Sequence, residues 1–161
     1  MIQDAFLFGT VSSIWVGMMI LLSMRHEPRI WLHDVPDEIR AEVEPKTLRE
    51  KRLERLWGIP IIGSMIGVPF LITLWKHQQY NFNYGSAFLF IWIVFMVFNF
   101  LDLVIIDWLI VVWWNPEWAR IKGTEHVAHH NNYIFYFAGF LKGIGITAVA
   151  AVVFALPFIW L

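Results

Sequence analysis

The stretch from Ala87 to Trp114 decides the fold: it reads AFLFIWIVFMVFNFLDLVIIDWLIVVWW, 28 residues that are almost all apolar. About twenty consecutive apolar residues are enough for an α-helix to cross the hydrocarbon core of a bilayer. The polar residues inside the stretch, Asn99, Asp102 and Asp107, are costly to insert there, so they are tolerated mainly where they face protein, water or a partner. The stretch therefore predicts a membrane helix with a polar face.

Composition indicates that three further segments also span the membrane. The chain has 161 residues, of which 58% are hydrophobic and 16% charged, more apolar surface than a soluble core of this size can absorb. We predict an all-α fold, an integral membrane four-helix bundle in one domain (1–161), with spans at about 5–24, 57–75, 87–114 and 136–160. A helical cytoplasmic loop (25–56) follows the first span, and a second cytoplasmic loop (115–132) precedes the last.

Several classes of protein are excluded by what the sequence lacks. It has no cysteine, which excludes disulfides and thiolate metal sites, and its net charge of −1 gives no basic field for nucleic acid. Residues 1–4 contain no Lys or Arg, so a cleaved signal peptide is not expected and the first span is interpreted as retained. The expected partners are the lipid bilayer and either further copies of the chain or other membrane subunits.

Local signals predict the helix ends and contacts. Thr47-x-x-Glu50 has the form of a capping box and predicts a helix start in the first loop. Pro69 should kink the second span, whereas Gly63-x-x-x-Gly67 and Gly139-x-x-x-Gly143 predict faces for close helix contact. Ser12 and Ser13 are expected mainly to bond back to their own helix. Ile30, Trp31 and Leu32 are interpreted as a segment lying at the membrane interface.

The distribution of Lys and Arg predicts the orientation. The first loop carries eight such residues, the second only Lys76, and the third Arg120 and Lys122. The positive-inside rule therefore places loops one and three in the cytoplasm and both termini outside. The first loop also holds eight acidic residues, so it has no net charge; it is either a docking surface or a solvated helical cap on the bundle.

The central helix offers the first candidate binding site: Asn99, Asp102, Asp107 and, from the next helix, Lys142. With the α-helical period, the three residues of the central helix fall within about 140° of one another, so they share a broad face without stacking. Asp107 and Lys142 lie at similar depths and are expected to pair, which lowers the cost of burying either charge. Asp102 lies nearer the midplane and either plays a structural part or holds a proton, cation or polar ligand.

The second candidate site is His126-x-x-His129-His130 with Glu125, in the third loop. Imidazoles at i, i+3 and i+4 share a helical face and could ligate zinc or iron. Membrane enzymes with di-iron centres need several such boxes, and this chain has one. Nothing in the sequence requires a cofactor. Two interpretations of these histidines therefore stay open: they bind a metal ion, or they are solvated at the membrane surface.

An ordered series of short motifs resembles a family. Asp102-Leu103-x-x-x-Asp107-Trp108-Leu109, Gly123-Thr124-Glu125 and Gly139-Phe140-Leu141-Lys142-Gly143 are similar to those of a widespread set of small, uncharacterised four-helix prokaryotic integral membrane proteins. The resemblance implies a four-helix membrane fold in a prokaryotic inner (plasma) membrane, with Asp102, Asp107, Glu125 and Lys142 part of the family pattern. It implies no activity. The histidine box departs from the pattern, which weakens the metal hypothesis.

Three functions stay open on the sequence alone. The first is a small polytopic protein that binds or passes a small solute or proton through its intramembrane aspartates, as an oligomer. The second is a non-catalytic accessory subunit of a larger membrane complex. The third is a metal-dependent membrane enzyme that uses the cytoplasmic histidines, although we lean towards a protein that is not an enzyme.

Overall fold

The computed structural model describes residues 1–127 and 132–161, and within these ranges the regular structure is entirely helical. Four helical segments are long and apolar enough to cross a membrane: Ile2–His26, Leu48–Tyr80, Tyr84–Trp114 and Tyr133–Ile159. The α-helices are α1 (Ile2–His26), α2 (Asp37–Ala41), α3 (Leu48–Tyr80), α4 (Tyr84–Leu101) and α5 (Tyr133–Ala155). Helix α4 continues as a π-helix over Asp102–Trp114, and short 3-10 helices cover Pro28–Asp34, Glu117–Ala119 and Leu156–Ile159.

Successive long helices run in opposite directions, so the chain termini meet the α3–α4 turn at one end of the bundle. There the Lys76 ammonium lies 2.8 Å from the Asp4 carboxylate, joining the start of α1 to the end of α3. Ala5, Phe82 and Phe158 pack in one buried cluster at the same end. The first and third loops therefore share the opposite end, where His126 lies 3.6 Å from Glu42.

Helix α4 lies at the centre of the bundle, against α1 on one side and α5 on the other. Phe90 and Ile91 of α4 are fully buried. Gly9 of α1 packs directly against Val97, since a Cβ added at Gly9 would lie 2.8 Å from the Val97 Cβ. Many apolar side chains on the outer faces are exposed, as is typical of helices that lie in lipid.

The first loop folds back over its end of the bundle. We call residues 28–35 the strap. The Trp31 indole donates a hydrogen bond to the Ser23 hydroxyl (2.9 Å), which fixes the strap to α1. The Lys46 ammonium donates to the Ile30 carbonyl (2.6 Å), and Arg40 donates to three further strap carbonyls. Cationic side chains thus satisfy backbone oxygens that the irregular helix leaves unbonded.

Two local predictions are confirmed, the capping box and the hydrogen bond from Ser13 to its own helix. The Thr47 hydroxyl accepts from the Glu50 amide (3.2 Å) and the Glu50 carboxylate accepts from the Thr47 amide (2.7 Å), the two bonds of a capping box. The Ser13 hydroxyl donates back to the Gly9 carbonyl (2.6 Å).

The helix that begins after Thr47 is continuous with the second span: α3 is one helix of 33 residues, with Pro60 and Pro69 inside it. Two other expectations differ from the structure. Ile30 and Leu32 are buried against protein, whereas a segment lying at the membrane interface would turn its apolar side chains towards lipid. A Cβ added at Gly63 would meet no atom within 4 Å, and the same holds at Gly67, so this small-residue face packs against nothing within the described chain.

Candidate functional site

The π-helix brings Asp102 and Asp107 to the same side of the central span. Its backbone bonds join residues five apart, and the last of them runs from the Asn115 amide to the Ile110 carbonyl (2.8 Å). A helix bonded in this way has more residues per turn than an α-helix, so residues five apart lie nearly above one another. The α-helical period had separated the two aspartates by about 140°. Both instead line one polar cavity.

This acid-lined cavity has a volume of about 480 Å³ and lies between the π-helix, α5 and the strap. Asp34 and Asp37 approach it from the first loop, and Asn99 from the end of α4. The volume falls within the range of about 300–1,000 Å³ that is usual for small-molecule sites. The cavity lies in the half of the bundle that carries the first and third loops.

Asp34 reaches the cavity because the strap folds back over the bundle. The side chain lines the cavity and is partly open to solvent, and the protein packed around it limits its hydration and raises its pKa above the usual value. His33 and Arg40 act in the opposite direction, since positive charge favours the carboxylate. Arg40 is itself engaged by Asp37, at 3.2 Å, and by strap carbonyls.

Asn99 joins the cavity wall to α5. Its amide donates a hydrogen bond to the Phe140 carbonyl (3.1 Å) and lies against the backbone of Gly143, where an added Cβ would be 2.5 Å from the Asn99 Oδ1. The predicted small-residue contact therefore exists at Gly143, with a side-chain amide as its partner. A Cβ at Gly139 would meet nothing within 4 Å.

The predicted ion pair between Asp107 and Lys142 is not formed. Both residues line the acid-lined cavity, but within the described chain no ion pair joins them, and Lys142 is exposed. Equal depth in two antiparallel helices brings two residues to the same level, whereas pairing also requires that both side chains point at each other. Lys142 is thus a cation on the cavity wall without an acidic partner among residues 1–127 and 132–161.

The residues of the predicted histidine site do not converge where the structure describes them. The Glu125 carboxylate accepts from the Gly123 amide (3.0 and 3.2 Å), and backbone bonds of this kind lower its pKa. His126 lies beside Glu42 instead. His129 and His130 lie outside the described residues, and within the described ranges no group of three His, Asp or Glu side chains is placed to hold a metal ion.

Sequence reasoning missed the contribution of the first loop and of Tyr136. Tyr136 is buried and lines the acid-lined cavity as well as a smaller one of about 70 Å³, which Asp34, Asp102 and Asp107 also line. The only sequence signal for the strap was an apolar segment soon after the first span. That signal is equally typical of an interfacial helix.

No family model matches the chain, and neither a curated protein nor a solved structure matches it. The class of protein is therefore defined by the structure alone: an all-helical chain with four helices long and apolar enough to span a membrane. Its distinguishing site is a polar cavity lined by four aspartates, of which Asp37 pairs with Arg40 and Asp34, Asp102 and Asp107 do not.

Proposed function

We propose that the chain is an integral membrane protein that binds a small cation, such as a protonated amine, in the acid-lined cavity. The observation that carries this proposal is the π-helix, which turns Asp102 and Asp107 towards the same cavity that Asp34 reaches from outside. Placing a carboxyl group in a membrane span costs free energy, and this cost is smaller when the group faces a water-filled site or a charged ligand.

The charges around the cavity favour a positively charged occupant. Asp37 is paired with Arg40, which leaves Asp34, Asp102 and Asp107 facing the cavity with Lys142 as the unpaired cation on its described wall. Three carboxyl groups against one ammonium give an excess of negative charge when ionised. A cation that enters would be stabilised by carboxylates in a region of low dielectric constant.

The geometry supports binding more directly than passage. The cavity occupies the end of the bundle that carries the first and third loops, whereas the other end is filled by buried apolar side chains such as Phe82, Phe90 and Phe158. A path through one protomer would have to open this cluster. Passage therefore requires a second conformation or an assembly of several copies.

The proposal includes an orientation. Loops one and three share one end of the bundle, and the excess of Lys and Arg in them places that end in the cytoplasm by the positive-inside rule. Both termini are then outside, in a prokaryotic inner membrane. The cavity would be filled from the cytoplasm, past Asp34 and His33.

The test is ligand-dependent thermal stability in lipid nanodiscs, with sodium, ammonium and guanidinium chloride compared at constant ionic strength. A ligand that binds only the folded protein at 100 times its Kd stabilises by about 2.7 kcal/mol, enough to shift the unfolding temperature measurably. We expect at least one of these cations to stabilise the wild-type protein. The double variant Asp102→Asn, Asp107→Asn should lose this response, because it removes both carboxylates while keeping side-chain size.

The matched control is Glu38→Gln, which neutralises an exposed acid outside the cavity and should leave the response intact. If none of the three cations stabilises the protein, or if the double variant responds like the wild type, the cavity is not a cation site. Loss of the response in Glu38→Gln would also contradict the proposal, since a general surface-charge effect would then explain it.

A further inference from the structure

A second cavity is apolar along most of its length and opens between α1, α3 and α4; it shares two lining residues, His33 and Asp102, with the acid-lined cavity. We call it the α3 groove; its volume is about 730 Å³. Its walls include Ile59, Ile62 and Gly63 of α3, and Gly63 leaves open space where a side chain would stand. Ile59 and Ile62 are among the most exposed apolar residues of the span, so the groove faces outward from the bundle.

The groove has a charged end on the side of the first loop, formed by His33, Glu54 and Arg55. Glu54 is already engaged, with the Lys46 ammonium at 2.8 Å and the His33 ring at 3.3 Å. Arg55 has no acidic partner among the described residues; its Nε donates to the Lys51 carbonyl (3.3 Å). The free charge at this end of the groove is therefore positive.

Further cations continue the same face of α3 beyond the groove. Residues three and four apart lie on one face of an α-helix, so Lys51 and Arg52 lie above Arg55, and Ile59 and Ile62 follow below it. Lys51 and Arg52 are exposed and make no ion pair within residues 1–127 and 132–161. One helix face thus carries three cations followed by an open apolar groove.

From this charge pattern we infer that the α3 groove binds an anionic phospholipid, with the headgroup phosphate at Arg52 and Arg55 and an acyl chain along Ile59, Ile62 and Gly63. Basic residues at the cytoplasmic end of a groove between membrane helices are suited to acidic headgroups. Arginine binds phosphate with a planar fork of donors, which holds the headgroup in one orientation. A zwitterionic lipid offers the same acyl chain but its headgroup has no net charge, so it should bind the groove more weakly.

The experiment is native mass spectrometry of the full chain in detergent, titrated with phosphatidylglycerol or with phosphatidylcholine of identical acyl chains. We expect one phosphatidylglycerol per chain to bind in preference to phosphatidylcholine. Each arginine lost should weaken phosphatidylglycerol binding by about fivefold. The variant Arg52→Gln, Arg55→Gln should therefore abolish the preference, whereas Arg25→Gln, Lys122→Gln removes the same charge from two exposed residues that do not line the groove and should retain it.

A second pair of variants tests the groove without changing charge. Gly63→Leu fills the groove, and Gly67→Leu adds the same side chain one turn further on, where an added Cβ also meets nothing. Gly63→Leu should lose the bound lipid and Gly67→Leu should keep it. Equal binding of the two lipids, unchanged binding in Gly63→Leu, or a dimer that carries no selected lipid would overturn the inference, the last because a second copy would then cover the groove.

Discussion

Replacing Gly143 by alanine tests how the wall of the acid-lined cavity is held. The added Cβ would lie 2.5 Å from Oδ1, 2.9 Å from Nδ2 and 3.0 Å from Cγ of Asn99. These distances are shorter than a non-bonded contact allows, so either α5 must move or the Asn99 side chain must turn. Turning breaks the hydrogen bond from Asn99 to the Phe140 carbonyl.

The expected loss follows from comparing two glycines of the same helix. Any Gly→Ala change inside a helix gains up to about 1 kcal/mol from helix propensity. Overpacking costs about 1–3 kcal/mol, and an interhelical hydrogen bond in a membrane protein contributes about 0.6 kcal/mol. Gly145 faces open space, so Gly145→Ala gains helix propensity without any overpacking. Gly143→Ala should therefore be about 1–3 kcal/mol less stable than Gly145→Ala.

The assay is unfolding of the purified variants in mixed micelles, followed by circular dichroism as the fraction of denaturing detergent rises. Asn99→Ala removes the amide that meets the new methyl group, so Gly143→Ala should cost little in an Asn99→Ala background. Equal stability of Gly143→Ala and Gly145→Ala would refute the reasoning. So would an equal loss with and without the Asn99 side chain.

Three other perturbations have defined outcomes. Gly9→Ala should lose about 1–3 kcal/mol in the same assay; Val97→Ala should not rescue it, because the closest contact, at 2.8 Å, is with the Cβ that alanine keeps. Thr47→Ala removes one bond of the capping box and should lower the free energy of unfolding by about 1 kcal/mol. Thr47→Ser keeps the hydroxyl that accepts this bond and should be as stable as the wild type. Because surrounding protein raises the pKa of Asp34 above 3.8, the folded chain holds this proton more tightly than the unfolded chain. The wild type should thus lose stability relative to Asp34→Asn as pH rises above 3.8, and a constant difference between the two melting temperatures would contradict this.

The four long helices could be predicted because their signal is local and strong. Long apolar runs specify helices in lipid, and the Thr47–Glu50 capping box marks the start of α3 within four residues of sequence. Which glycines contact a neighbouring helix could not be predicted from local sequence. Gly63 and Gly143 occur in the same kind of motif, yet only Gly143 meets a neighbouring helix, since contact depends on which face the bundle turns inward.

Two residues of the candidate site could be predicted from the sequence, but their arrangement could not. Asp102 and Asp107 stand out because carboxyl groups are rare in apolar helices, and the structure places both on one cavity. Their common face could not be derived, because an α-helical period was the natural assumption and the π-helix replaces it. Asp34 lines the cavity because the strap folds over the bundle, and the strap is held there by hydrogen bonds from Arg40 and Lys46 to its carbonyls. Those contacts join residues 5 to 16 positions apart, and helical periodicity does not predict them.

Asn99 links the stability of the bundle to the proposed binding site. It lines the acid-lined cavity, and its hydrogen bond to the Phe140 carbonyl fixes the part of α5 that carries Tyr136 and Lys142. Any shift of α5 that relieves Gly143→Ala must therefore also move Tyr136 and Lys142 relative to Asp102. If the cavity binds a cation, Gly143→Ala should weaken the response to that cation even at temperatures where the variant is fully folded. Gly145→Ala, which displaces nothing, should bind the cation like the wild type.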